Sequence, residues 1–188
     1  MKTTVLLFCL VALTLCTTAQ TDRSGVYICK KGKIHFFSSS PLEDIEATSN
    51  DAALVLNTAD KSVSAKISQN SFVFKDKLMQ EHFNENYMES DKYPLSLLKM
   101  VIVENIDFAK DGVYDVTLKG SLEMHGVKQD REIKGKLTIK NGAPVRATAA
   151  FEVKLVDHKI KIPKAVVMNI AEVIKVDVDF ALEKYQKQ

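Results

Sequence analysis

One stretch of the chain, residues 74–94, concentrates the residue types that could do chemistry. His82, Glu85 and Glu89 are spaced so that they would share one side of a helix, and imidazole with carboxylates is a ligand set that transition metals accept. Carboxylates at this spacing are also typical of a solvated helix face. No second histidine and no cysteine in the stretch supports the metal interpretation, so we expect no metal site.

The remaining candidates for catalysis are isolated in the sequence. Besides His82 there are three histidines, His35, His125 and His158, and none stands in a recognisable catalytic motif. The sequence contains no nucleophile elbow, no glycine-rich phosphate loop and no HExxH pair. Cys29 precedes two lysines, but nothing marks a base for it. We therefore expect no catalytic residues, no cofactor that reacts and no enzymatic activity.

The same stretch is rich in aromatic and methionine side chains, which allow two interpretations. Aromatic residues dominate ordinary cores, whereas thioethers among aromatic rings also form the adaptable apolar lining of a ligand cavity. Three of these residues are four apart and predict one face of a short helix. That helix would close or support the rest of the fold. The set is Phe72, Phe74, Met79, Phe83, Tyr87, Met88 and Tyr93.

The first 19 residues predict a secretory signal peptide. Lys2 is followed by an apolar run over residues 5–15 and by the small residues that precede a cleavage site after Ala19. Cys16 offers the alternative of a lipid-anchored protein. The residues before it, Thr14 and Leu15, are a poor match to lipoprotein processing, so the sequence favours a soluble periplasmic or secreted protein.

Residues 20–188 have the length and composition of one domain with one core. The whole chain has 26 basic and 24 acidic residues, and loss of Lys2 with the signal leaves 25 minus 24, or +1. Such a balance gives no electrostatic case for nucleic acid. Cys29 is the only cysteine after residue 19, so no internal disulfide is expected. No further segment predicts a membrane span, and the sequence leaves open whether the protein forms a homodimer.

Most of the remaining chain alternates apolar and polar residues, which is typical of antiparallel strands with one buried face. Asp111–Gly112 and Asn141–Gly142 carry the strongest short hairpin signal, and His125–Gly126 and Asp60–Lys61 suggest further turns. The alternating segments are residues 32–40, 62–74, 112–126, 131–142, 147–157 and 174–185.

An antiparallel sheet with this many strands tends to close on itself, so we expect an all-β barrel with minor α content. Its interior must be filled by side chains or by a ligand. Gly120 and Gly135 fall in mid-strand on the inner face, where glycine often marks a bend or a close approach to the backbone. Residues 161–172, with Pro163, predict a second short helix or turn against the barrel.

Several motifs together resemble the YceI-like family of polyisoprenoid-binding, lipocalin-like periplasmic proteins. The most specific are LMQEHFNENYMES followed by KYP at residues 78–94, and GSLEMHGV at residues 120–127. The resemblance covers residues 26–185. After KYP the family commonly has an aromatic residue and a glycine, whereas this chain has Leu98 and Met100.

The resemblance implies an extended eight-stranded antiparallel barrel with one or two short helices beside it. It also implies an apolar interior that holds an isoprenoid lipid, for example a quinone, and a non-enzymatic function outside the cytoplasm. The alternative is an envelope or stress-related interaction protein with a packed barrel and no lipid. The residues expected to contact a ligand are Phe72, Phe74, Met79, Phe83, Tyr87, Leu118, Leu122, Ile133, Leu137, Phe151, Val153, Val178 and Phe180.

Overall fold

The structure, a computed structural model, describes residues 25–39, 44–162 and 171–186. The predicted signal peptide and its cysteines lie outside the described residues, and so does most of the predicted second helix, residues 163–170. Within the described part, no helix has both the length and the apolar character needed to cross a membrane.

The described residues form one antiparallel sheet with short helical segments between its strands. The elements in chain order are β1 (Val26–Ser38), β2 (Ile45–Asn57), β3 (Ser62–Ser68), β4 (Val73–Phe74), α1 (Lys77–His82), β5 (Leu95–Ile102), β6 (Gly112–Met124), β7 (Val127–Lys140), β8 (Ala143–Lys154), β9 (Val173–Ala181) and β10 (Glu183–Lys184).

Eight of these strands close into a barrel in the order β1-β2-β3-β5-β6-β7-β8-β9. Closure follows because β1 pairs with β2 along one edge and with β9 along the other. The two-residue strands β4 and β10 extend the sheet beside β2 and β1. The predicted eight-stranded antiparallel barrel with minor helix is therefore confirmed. We call the end where β1, β3, β6 and β8 finish the plug end, and the opposite end the far end.

The turns divide between confirmed and wrong predictions. Two predicted turns each join two long strands. The φ values are 54° and 67° at Asn141 and Gly142, and 52° and 69° at His125 and Gly126. Residues 58–61 also form a turn. Asp111–Gly112 is not a hairpin, because the longer loop 103–111 joins β5 to β6.

Asp111 instead stabilises a neighbouring hairpin. Its carboxylate accepts hydrogen bonds from the backbone N–H groups of Asn141 and Gly142, at 2.9 and 2.8 Å. These two donors lower the pKa of Asp111, since they favour the ionised form. The aspartate that predicted one turn therefore acts on another turn, 30 residues later in the chain.

Two mid-strand glycines allow neighbouring strands to come unusually close. A Cβ atom on Gly120 would lie 2.2 Å from the backbone oxygen of Lys99, and one on Gly135 would lie 2.6 Å from the backbone oxygen of Thr148. Both glycines face the barrel interior, as their strand alternation predicts. The expected close approach to the backbone is confirmed at both positions.

The segment that breaks the strand pattern, residues 72–93, packs across the plug end, and we call it the plug segment. Asp76 caps α1, because its carboxylate accepts the N–H of Met79 at 2.9 Å. The helix continues into a π-helical turn, Phe83–Tyr87, in which Met88 N–H reaches the Phe83 carbonyl at 2.8 Å. The predicted short helix is thus present, although Leu78, beside its apolar stripe, is exposed.

Candidate functional site

The barrel encloses a cavity of about 260 Å³, and its lining residues extend from the plug end to the far end of the barrel. The inner faces of all eight barrel strands contribute, because every second residue of a strand points inward. Most of the lining side chains are aliphatic or aromatic. The alternation read from the sequence therefore produces a cavity with an apolar wall.

Aromatic rings of the plug segment close the cavity at the plug end. Phe36 of β1 stands at the centre of this cluster, with its ring centroid 5.3 Å from Phe72, 5.7 Å from Phe74 and 5.5 Å from Phe83. The contacts with Phe72 and Phe74 are edge-on and the contact with Phe83 is stacked, and both arrangements are favourable beyond simple burial. The aromatic residues serve as core and as cavity lining together, so the two interpretations of this stretch are not exclusive.

The residues predicted to contact a ligand are brought together by the fold. All of them line the cavity: Phe72, Phe74, Met79, Phe83 and Tyr87 from the plug segment, and Leu118, Leu122, Ile133, Leu137, Phe151, Val153, Val178 and Phe180 from β6 to β9. Met88 also lines it. Tyr93 instead lies against the His125 ring, 4.5 Å between centroids.

The list of expected ligand contacts left out the first half of the barrel, although residues 32–40 and 62–74 were among the predicted strands. β1, β2, β3 and β5 supply Ile34, Phe36, Leu54, Leu56, Val63, Leu98, Met100 and Ile102. The alternation around Leu54 and Leu56 could have identified β2. In β1 the register shifts between Cys29 and Ile34 interrupt the period of two, which conceals the inner face of the first half of this strand.

The three residues of the metal alternative are not gathered into a site. His82 and Glu85 are exposed on the plug segment, whereas the Glu89 carboxylate lies 2.8 Å from Nε2 of His125. No group of three or more potential metal ligands occurs in residues 25–39, 44–162 and 171–186. Glu89 thus ties the plug segment to the β6–β7 turn.

Two histidines continue this connection across the plug end. Nδ1 of His125 donates to the backbone oxygen of His158 at 3.1 Å. His158 is fully buried, and its Nδ1 donates to the carbonyl of Val127 at 3.0 Å. Arg131 pairs with Asp157 at 2.9 Å beside it. The sequence showed these histidines only as isolated residues.

Burial lowers the pKa of His158, since desolvation disfavours the charged imidazolium and Arg131 adds repulsion. The unfolded chain therefore binds this proton more readily than the folded chain. Stability is full above the ordinary value of 6.5 and is lost as the pH falls from there through the lowered pKa.

Replacement of His158 by glutamine should flatten the acid side of the stability profile. The free energy of unfolding, measured with urea between pH 7.5 and 5, is expected to fall less steeply for His158→Gln than for the wild type. His82→Gln removes an exposed histidine and should leave the wild-type slope. Parallel wild-type and His158→Gln curves would contradict this origin of the pH dependence.

A closed eight-stranded antiparallel barrel around an apolar cavity is the lipocalin-like class of fold. A YceI-like domain matches residues 30–182, so the chain belongs to the YceI-like family. Among curated proteins, no sequence matches this chain.

Solved structures with the same fold have distant sequences. A polyisoprenoid-binding domain from Saccharophagus degradans, implicated in plant cell wall breakdown, is 13% identical with a TM-score of 0.67, over 86% of this chain and 99% of that one. BcnA from Burkholderia cenocepacia is 16% identical with a TM-score of 0.61, over 80% and 94%. A YceI protein from Campylobacter jejuni is 16% identical with a TM-score of 0.61, over 79% of this chain and 90% of that one. These similarities establish the fold.

Proposed function

We propose that this protein is exported and binds a long-chain lipid, of the polyisoprenoid type, inside its barrel. The observation that carries the proposal is the apolar cavity of about 260 Å³, lined along the full height of the barrel. A lipid chain in this space gains about 0.8 kcal/mol for each buried methylene. The polyisoprenoid binding of the Saccharophagus domain supports the choice of ligand class.

The proposal is for a binding protein and not an enzyme. In the described residues the cavity wall is mostly aliphatic and aromatic, and the histidines of the plug end are outside that wall. The alternative of a packed interaction protein is less well supported, because a filled core would leave no cavity of this size. Export rests on the signal-like residues 1–19, and a homodimer is compatible with either function.

The test is mass spectrometry of the protein purified from an exporting host. The intact mass should correspond to a chain that begins at Gln20, and a solvent extract should contain a prenyl or other long-chain lipid. A diacylated Cys16 would contradict the soluble export proposed here. An extract without lipid from folded protein would favour the packed interaction protein.

A matched pair of variants tests whether the lipid occupies the barrel interior. Ala149 lines the cavity, and its neighbour Ala150 is exposed on the same strand. Ala149→Phe should fill the middle of the cavity. Displacement of two methylene groups would cost about 1.6 kcal/mol, or roughly a tenfold loss of affinity. Ala150→Phe should retain wild-type lipid. Equal lipid in both folded variants would contradict binding in the cavity.

A further inference from the structure

Among the described residues, the buried polar side chains that line the cavity all lie at the plug end. Ser38 ends β1, Gln69 follows β3 directly, and Ser96 is the second residue of β5; they are 1%, 2% and 8% exposed. Toward the far end the buried lining is apolar, with residues such as Leu56, Ile102 and Phe180. The cavity therefore has one polar end and one apolar end, which is the asymmetry of an amphiphile.

Gln69 is held in place from two sides. Its backbone N–H donates to the carbonyl of Pro94 at 2.9 Å, and its side-chain Nε2 donates to Oγ of Ser96. A carboxamide has two N–H donors and a carbonyl acceptor, and a hydroxyl both donates and accepts. The hydrogen bond between Gln69 and Ser96 uses only one amide N–H and one acceptor site of the hydroxyl. The pair places an oriented amide and a hydroxyl at the wall of an otherwise apolar cavity.

The polar end favours a neutral ligand group over a charged one. None of the buried lining residues that the structure describes carries a charge. Tyr87 of the plug segment also lines the cavity, and burial raises its pKa, so its phenol stays neutral. The lining also includes Lys66 and Lys136, but both lysines are exposed to solvent. A carboxylate or phosphate here would lose its hydration without gaining a buried cation, which is far more costly than burying a hydroxyl or carbonyl.

We propose that Gln69 and Ser96 bind the neutral, oxygen-bearing head group of the lipid, whose chain then extends toward the far end. This inference rests on the proposed lipid-binding function and adds the orientation and the head-group class. A hydroxyl or carbonyl oxygen of the ligand accepts from the Gln69 amide, and a ligand hydroxyl donates to the Gln69 carbonyl. Ser96 positions the amide for both.

Three compounds with the same 15-carbon prenyl chain separate the head group from the chain: farnesol, farnesyl diphosphate and the hydrocarbon farnesene. Their affinities for the delipidated mature protein are measured by isothermal titration calorimetry. The wild type should bind farnesol roughly three- to tenfold more tightly than farnesene, as one net hydrogen bond allows. Farnesyl diphosphate should bind most weakly.

Gln69→Leu should bind farnesol and farnesene equally, with farnesene affinity unchanged. Ser96→Ala should reduce the preference for farnesol, and its smaller change keeps the test available if Gln69→Leu does not fold. Equal wild-type affinity for farnesol and farnesene, tightest binding of the diphosphate, or a parallel loss for all three compounds in Gln69→Leu would overturn the head-group site. Binding of none of the three would instead overturn the proposed lipid binding.

Discussion

Replacement of Leu137 by lysine is expected to lower the free energy of unfolding by about 4 kcal/mol or more at neutral pH. Leu137 is 2% exposed and lines the cavity between its strand partners Tyr114 and Ala147. An ammonium group at the position of Leu137 in the cavity wall would have neither water nor a carboxylate beside it. The penalty would appear as a lowered lysine pKa in the folded state.

The sign of the pH dependence distinguishes this mechanism from a simple packing defect. A lysine with a lowered folded-state pKa destabilises most below that lowered pKa, and the deficit shrinks as the pH rises from there toward the unfolded pKa near 10.4. Denaturant unfolding at pH 7 and pH 10 measures it. Lys136→Leu, on the adjacent outward position, loses only an exposed pair with Asp115 and should change stability little. A Leu137→Lys deficit below about 1 kcal/mol would mean that water reaches this part of the cavity.

Gly120→Ala is expected to destabilise the barrel by about 3 kcal/mol. The added Cβ would meet the backbone of β5, at 2.2 Å from the Lys99 oxygen and 2.7 Å from the Met100 Cα. No side-chain rotation relieves a contact with backbone, so β5 and β6 would have to separate. Their pairing around Met100 and Gly120 would weaken as a result.

Gly25→Ala provides the matched control, since its Cβ would meet only the Lys184 and Tyr27 side chains, no closer than 3.3 Å. Thermal and urea unfolding of the two variants should separate them clearly. Comparable stability of Gly120→Ala and Gly25→Ala would show that β5 can move outward without cost. It would also remove the close approach as the reason for glycine at position 120.

Polar contacts at the two ends of the barrel illustrate what a pattern of residues does not contain. Glu89 and His125 are 36 residues apart, and Asp111 acts on a turn 30 residues later. Their neighbours in sequence favoured other partners: Glu89 was grouped with His82 and Glu85, and Asp111 with Gly112. Long-range pairs of this kind depend on how strands align. A shift of one residue in the register of a strand moves all its side chains to the opposite face of the sheet.

The sequence by itself determined the strand alternation, the inner faces of β6 to β9, and the apolar helix face of Met79 and Phe83. Each follows from a local period, since side chains alternate along a strand and recur every three or four residues on a helix. The tertiary structure alone decided the closure between β1 and β2, the inner face of β2, and the presence of a cavity in place of a filled core. The volume left inside a barrel depends on strand number, tilt and the fit of side chains from opposite walls, and no local pattern records that fit.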